Sequence, residues 1–596
     1  MNIIRSGMRR AGALAGTRWK AQPAPLEHRR CSSKKTLAWL LCGTMAAGVL
    51  CAQGQGVPAQ TGAPMVPDRP TASAPALPPV TAQDLLDGLK NPSRWLTYSG
   101  DYTGRRHSPL KQITPANVGK LTLQWMFQAE GMNIARGFES IPLMMDGVLY
   151  VSGNNNLAWA VDARSGRQIW RYRRAFPPGM TYGSINASNR GLALFDNLVY
   201  MATLDAHVVA LDRNTGRVVW DTVMDDYKQG HAGIAAPLVV KDKVIVGNSG
   251  GDQPTRGFID AYDAQTGKRV WRFYTIPGPG EPGSETWSDA SLLPRGGGAT
   301  WATGSYDPEL NTIYWATGNP QADYYGADRL GDNLYTASLV ALDADTGKLK
   351  WHFQFTPHDL HDWDSNHVPV LADITFRGQP RKVVMVANRN SFFYTLDRAT
   401  GEFLVGKPYT GTKWARELDA KGRPIVLNDG VIPPGGSEAT TPCVPDLRGG
   451  TVYNPPSYDP AVGLFYVMAR ETCAYYMPMK QEAEPGRTNM GGGMRKLADP
   501  DYSVLRAIDP RSGEIRWEHK FAIASLAGVM STASGVVFAG DHEGFFNAFD
   551  SKNGKLLWRF RTGSPIWGAA GMSYMLDGKQ FVLIPSGNTV LAFGLP

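Results

Sequence analysis

Three short stretches carry side chains with carboxylate and amide oxygens. NSGGD ends on Asp252, TGNP carries Asn319, and TPHDLHDWD carries Asp362 and Asp364. Carboxylate and amide oxygens are donors that hard cations take. His358 and His361, in the same stretch, also suggest a transition-metal pair. Two arginines, Arg190 in SNRGLA and Arg389 in ANRNSFFY, each offer a fork that grips a carboxylate with two bonds. Ser249 adds a hydroxyl, and the Gly250–Gly251 pair lets the main chain approach a ligand closely. Trp301, in GGGATWATGSYDP, offers a flat indole face. Taken singly, each has an ordinary structural reading: a surface Arg, a strand Trp, a Gly-Gly turn, a loop Asp.

The elements that must position these residues are announced by a tag. AWAVDARSGRQIW ends at Trp170, VVALDRNTGRVVW at Trp220 and DAYDAQTGKRVW at Trp271. VALDADTGKLKW, RAIDPRSGEIRW and NAFDSKNGKLLW follow, ending at Trp351, Trp517 and Trp558, while YTLDRATGEFLV has Val405 in place of Trp. In every copy the last residue lies eight positions after the Asp. Strand-like runs such as GVLYVSG and NLVYMATL precede the tags, and Asp-x-x-x-Gly reads as a turn between two strands. A unit that cannot bury its own apolar face must stack on its neighbours. The pattern predicts an all-β, eight-bladed β-propeller with Trp-tagged repeats. Trp125 would begin the ring and the final VLAFGLP would close it. The hairpins SYDPELNTIYWATG (305–318) and SYDPAVGLFYVMAR (457–470) sit in the two long gaps between tags, and their likeness suggests that the second gap hides an untagged blade.

Composition sets the boundaries. Residues 1–52 hold nine Lys/Arg and one Glu, whereas the rest holds 52 basic and 52 acidic residues, so the net charge of +8 belongs to the leader. That argues against a nucleic-acid partner. Lys34-Lys35 precede an apolar run, Thr36 to Ala52, shorter than the roughly 20 residues of a membrane span. Residues 1–52 read as a secretory leader, with an uncleaved anchor as the alternative; after cleavage no stable membrane span is expected. Residues 53–80, rich in Pro and Ala, read as a linker, and 81–596 as the propeller domain. Thr81 and Asp84 are spaced to cap a short helix running to Lys90. Export would leave two cysteines, Cys443 and Cys473, either a structural disulfide or two buried thiols. No CxxCH haem motif is present.

Taken in order, these motifs resemble those of the quinoprotein alcohol dehydrogenases, propellers that use pyrroloquinoline quinone (PQQ) and a metal. The resemblance covers about Trp95 to Pro596. It implies that Glu139 in GFESIP, Arg190, Ser249, Gly250, Gly251, Trp301 and Arg389 contact PQQ. It implies a metal site of Asp252, where the family usually has Glu, with Asn319 and Asp362. Asp364 is then either the extra ligand of lanthanide-dependent members or a partner just outside a calcium site. The family places His358 and His361 on the surrounding loop. Cys443 and Cys473 match a structural pair in the family. The implied reaction is oxidation of an alcohol to an aldehyde or ketone, with Asp362 as general base and Arg389 near the reactive quinone oxygens. Electrons would pass to a separate acceptor, by analogy a soluble cytochrome c, in the periplasm.

The chain also departs from the pattern. Ser184 and Ile185 stand where many members have adjacent cysteines forming a ring over the cofactor. Ile234 and Ala299 replace usual Thr contacts, Val452 replaces an Asn, and SLAG (525–528) lacks a Trp seen near the cofactor elsewhere. The rival reading is a non-catalytic propeller of PQQ-type repeats acting as an assembly or binding scaffold.

Overall fold

The computed structural model describes residues 77–132, 137–180, 187–427 and 444–596. Short antiparallel strands dominate them, arranged as eight four-stranded blades, two of which gain an extra short strand. In chain order the blades run from Leu143–Met145 to Gln168–Arg173, Ala193–Phe195 to Val218–Val223, Leu238–Val240 to Arg269–Tyr274, and Ser305–Asp307 to Leu349–Gln354. The next three run from Val370–Phe376 to Phe403–Pro408, Ser457–Asp459 to Ile515–Phe521, and Val529–Thr532 to Leu556–Arg561. The eighth combines Met572–Leu576, Lys579–Ser586 and Thr589–Gly594 with Thr122–Gln128 from the other end of the chain. Thr122–Gln128 pairs antiparallel with Thr589–Gly594, so the strand bearing Trp125 closes the ring.

Cross-blade contacts explain the tag. Its Asp caps the turn: one carboxylate oxygen of Asp162 accepts the N–H groups of Arg164 and Ser165, each at 2.9 Å. Its Gly takes a positive φ, and a Cβ there would strike the Trp of the preceding blade. Gly166 lies on Trp125, Gly216 on Trp170, Gly267 on Trp220, Gly347 on Trp271, Gly401 on Trp351 and Gly554 on Trp517. At several joints the Trp indole then donates to the carbonyl that follows the next blade's Asp: Trp170 to Arg213 at 2.9 Å, Trp220 to Ala264 at 3.1 Å, Trp517 to Ser551 at 3.0 Å; the Trp351 indole makes no such bond. Three residue types at fixed spacing are therefore one half of a joint whose other half is the neighbouring tag.

The blade count of eight agrees with the sequence, but not the accounting. The hairpin of 457–470 is no hidden blade; it belongs to the blade whose tag ends at Trp517. Part of the gap is loop with a two-stranded hairpin at Ala415–Leu418 and Pro424–Val426. The rest lies in the central strands Leu464–Pro478 and Gly492–Ile508, of 15 and 17 residues, which run beyond the blade as an arm. The short helix is Ala82–Asp87, with a reciprocal Thr81–Asp84 cap, followed by one 3-10 turn to Lys90. Leu77 and Pro78, read as linker, accept hydrogen bonds from Arg213, and Val80 pairs with Asp196. Residues 1–52 lie outside the described residues, as does most of the linker. Among the described residues no helix is long and apolar enough to cross a membrane.

Candidate active site

In an antiparallel blade, the connection between strands two and three opens at the same end as the connection between blades. Every candidate residue comes from one of these connections. Ser249–Asp252, Asn319 and Arg389 follow second strands, while Glu139, Arg190, Trp301, Asp362 and Asp364 lie between blades. The fold thus gathers segments spread over 250 residues of sequence at one end of the ring.

At the centre are carboxylates. Ligand atoms of Asp252, Asp323 and Asp362 lie within 4.8 Å of one another, and no other His, Cys, Asp or Glu group converges in this way among the described residues. Asp362 has φ +60°, a left-handed conformation that costs a non-glycine residue about 1–2 kcal/mol. Arg389 bridges two acids: one terminal nitrogen is 3.3 Å from Asp362 Oδ1, the other 3.0 Å from Asp364 Oδ2. It also donates to the main-chain carbonyls of Asp362 and, at 3.1 Å, Leu447. Asp364 Oδ1 accepts the Asn319 N–H at 3.0 Å. Gly318 lies beneath that carboxylate, where a side chain would displace it. The Asn319 side-chain nitrogen donates to Asp323 Oδ1 at 2.7 Å.

The electrostatics follow from burial. Burial, with repulsion from Asp364, pushes Asp252 up to about 6, against the pull of Arg389. Burial also holds Asp362 well above the usual carboxylate range, opposed by Arg389 and reinforced by Asp323, Asp364 and Asp252. Asp323 is held well above it too, by burial first and then by Asp252. Asp364 is raised by burial, with Arg389, the Asn319 N–H and Trp301 opposing. Burial works against the Arg389 charge, yet the surrounding carboxylates, Asp364 first, hold it above its ordinary value. One guanidinium facing four acids leaves the charge uncompensated, which a multivalent cation would correct. Oxygen-only donors, one of them an amide, fit calcium or a lanthanide.

Next to Asp364 stands Trp301, grouped with Tyr453 and Arg190. Arg190 is buried, with its guanidinium 4.5 Å from the Trp301 ring centre and 4.3 Å from that of Tyr453. One terminal nitrogen sits 3.1 Å from Glu139 Oε2, while Nε and Nη1 have no hydrogen-bond partner. The buried Ser249 hydroxyl has none either. Open donors beside an indole fit a planar, carboxylate-bearing ligand. Gly250 has φ +110°, so the backbone turn between Ser249 and Asp252 requires glycine. The departures from the family pattern become an apolar wall: Ile234, with Met180 and Leu204, packs towards one part of Trp301, and Val452, Tyr453 and Leu526 towards another.

Other residues fall elsewhere. His358 meets the Gly331 carbonyl at 2.9 Å and His361 stacks on Trp363 at 4.0 Å, so they form no metal pair with the carboxylates. Cys473 is buried and disulfide-bonded, while its expected partner Cys443 lies outside the described residues, as do Ser184 and Ile185. The sequence reading missed Asp323. Its signal was a carboxylate four residues after Asn319, outside any motif.

Fold and site together define an eight-bladed propeller with an oxygen-donor cluster at one end of its ring that fits a multivalent cation. Residues 95–407 and 412–582 match the family model of the glucose/ethanol/alcohol dehydrogenase β-propeller domain, a PQQ domain. The chain is 38% identical over 536 residues to the quinoprotein alcohol dehydrogenase PedH of Pseudomonas putida, covering 85% of this chain and 88% of that protein. It is 35% identical to a 1-butanol dehydrogenase (cytochrome c) of Thauera butanivorans, over 83% of this chain and 74% of the relative. Among solved structures, a europium-containing methanol dehydrogenase superposes with a TM-score of 0.80 at 30% identity, covering 86% of this chain and all of the other. The chain belongs to the PQQ-dependent alcohol dehydrogenases, enzymes whose cofactors are PQQ and calcium or a lanthanide ion.

Proposed function

We propose that this protein oxidises a primary or secondary alcohol bulkier than methanol, and that its electrons leave to a separate acceptor such as a soluble cytochrome c. The observation that carries this reading is the convergence of Asp252, Asp323 and Asp362 beside the Arg190–Trp301 pair. Asp252, Asn319, Asp362 and Asp364 would hold the ion. Glu139, Arg190, Ser249, Gly250, Gly251, Trp301 and Arg389 would hold PQQ. When bound, PQQ supplies an electrophilic quinone that accepts hydride, and the ion polarises its carbonyl.

The protein's own part is positioning and proton transfer. Asp362 takes the hydroxyl proton at its carboxylate while the hydride leaves the same alcohol's carbon, so an aldehyde or ketone results. Arg389 pins Asp362 through main chain and side chain, which fixes the position of the base. The apolar wall of Ile234, Val452 and Leu526 favours an alkyl or aryl group. The cytochrome c acceptor is supported by the name of the Thauera relative, and a periplasmic location by the leader sequence. A scaffold would gain nothing from several buried carboxylates without matching cations, which weakens that alternative.

Reconstitution tests the proposal. The purified chain is given PQQ with calcium or a light lanthanide, and dye reduction is followed over a panel of alcohols. Turnover of butanol or benzyl alcohol above methanol is expected. Failure to bind PQQ and to reduce dye with either ion would reject the enzyme reading, and a strong preference for methanol would reject the substrate class.

A further inference from the structure

Asp323 is wholly buried, and its two oxygens have different fates. Oδ1 accepts the Asn319 side-chain amide at 2.7 Å, whereas Oδ2 has no hydrogen-bond partner. An acceptor buried without a partner is a costly arrangement that native proteins rarely keep without a use. The nearby Arg329 does not meet this need. Its Nη1 donates to Asn333 and its Nη2 to the carbonyls of Ala322 and Asp359, while its Nε, also without a partner, makes no hydrogen bond to Asp323.

The position of Asp323 is fixed from several sides. The arm extending from the sixth blade reaches both carboxylate loops. The Asn489 N–H donates to the Asp252 carbonyl at 2.8 Å, Gln321 donates to the Asn489 carbonyl, and the Tyr324 N–H donates to the Met490 carbonyl at 2.8 Å. One turn of this arm therefore holds the loop of Asp252 against the loop of Asp323.

Resting on the ion site proposed above, we propose that Asp323 is a further protein ligand to that ion, entering through Oδ2. The Asn319 side chain serves this arrangement twice. Its nitrogen orients Asp323, and that bond leaves its own oxygen free to face the ion. The added carboxylate raises the negative charge of the site and replaces a water in the coordination sphere, which favours a trivalent over a divalent ion.

The test measures binding rather than turnover. PQQ-loaded wild type and Asp323→Asn are dialysed against europium(III) chloride, and bound europium is counted by mass spectrometry. Directly excited europium emission lifetimes in H2O and D2O then give the number of coordinated waters. Asp323→Asn is expected to weaken europium binding at least tenfold, weaken calcium binding less, and add about one coordinated water. The metal-free variant should melt no lower than wild type, because Asn keeps an oxygen for the Asn319 amide and Oδ2 has no hydrogen bond to lose; a purely structural role would lower that melting temperature. Equal affinity and equal water count in the two proteins would overturn the role of Asp323 while leaving the ion site standing. Wild type that binds no europium and no calcium would overturn both.

Discussion

A single methyl group tests the joint between blades. Gly216 has φ +70°, and a Cβ there would lie 2.7 Å from Trp170 Cε3 and 2.9 Å from its Cδ2. Trp170 is 1% exposed and its indole is bonded to Arg213, so it has nowhere to retreat. Gly463 has nearly the same backbone, φ +74°, but a Cβ would meet nothing within 4 Å. Gly463→Ala therefore carries only the left-handed backbone penalty, about 1–2 kcal/mol. Gly216→Ala carries that penalty plus overpacking of about 1–3 kcal/mol, so about 2–5 kcal/mol in all. The gain from stiffening the unfolded chain, about 0.4–1 kcal/mol, is common to both and cancels in the comparison. Thermal unfolding of the two variants by calorimetry should show a clearly larger fall in transition temperature for Gly216→Ala. Equal falls would refute the claim that the tag glycine exists to receive the preceding blade's tryptophan.

Three further predictions concern the site and its support. Asp362→Asn should lower alcohol-dependent dye reduction by about 10²–10⁴-fold; retention of more than a tenth of the activity would remove Asp362 as the base. Asp364→Ala should abolish lanthanide-supported activity in preference to calcium-supported activity, and identical rates in mutant and wild type would deny it a ligand role. The third is a pH effect at the buried Asp446–Arg470 pair, 2.7 Å apart. Burial alone would raise the Asp446 carboxyl, but Arg470 draws it down to about 2 from a usual 3.8. Because the folded value is the lower one, the pair's contribution of about 2 kcal/mol is complete above pH ~4 and is lost as pH falls towards 2. Asp446→Asn should flatten that part of the stability curve measured by denaturant unfolding; an unchanged slope would contradict the assignment.

Much of the architecture was legible because most joints between blades use the same three residue types, Val405 standing in for Trp in one. Asp caps, Gly clears space and Trp fills it, so the spacing survives while the strands between vary. The pairing itself was not legible, since a tag's Gly is matched to the Trp of the blade before it and never to its own. The miscounted hairpin at 457–470 has a related cause. Loop and arm insertions stretch the interval before Trp517 without adding a blade, and periodicity cannot distinguish an insertion from an untagged repeat.

The site divides in the same way. Arg190, Trp301, Asp252, Asn319, Asp362, Asp364 and Arg389 stand in local motifs readable from the sequence, and the fold brings these segments to one end of the ring. Asp323 carries no motif; only the bond from Asn319 and the arm at Asn489 give it a place. The replacements at Ile234, Val452 and Leu526 were visible as lost polar contacts. That they form apolar walls flanking Trp301 depended on loops from different blades.

The central claim is that an ion bound among these carboxylates sits beside PQQ. Crystals grown with PQQ and lanthanum(III), with diffraction recorded where lanthanum scatters anomalously, test it most directly. One strong anomalous peak is expected among Asp252, Asn319, Asp323, Asp362 and Asp364, with the quinone against Trp301. A map with no peak there, or with lanthanum only at surface carboxylates, would contradict it.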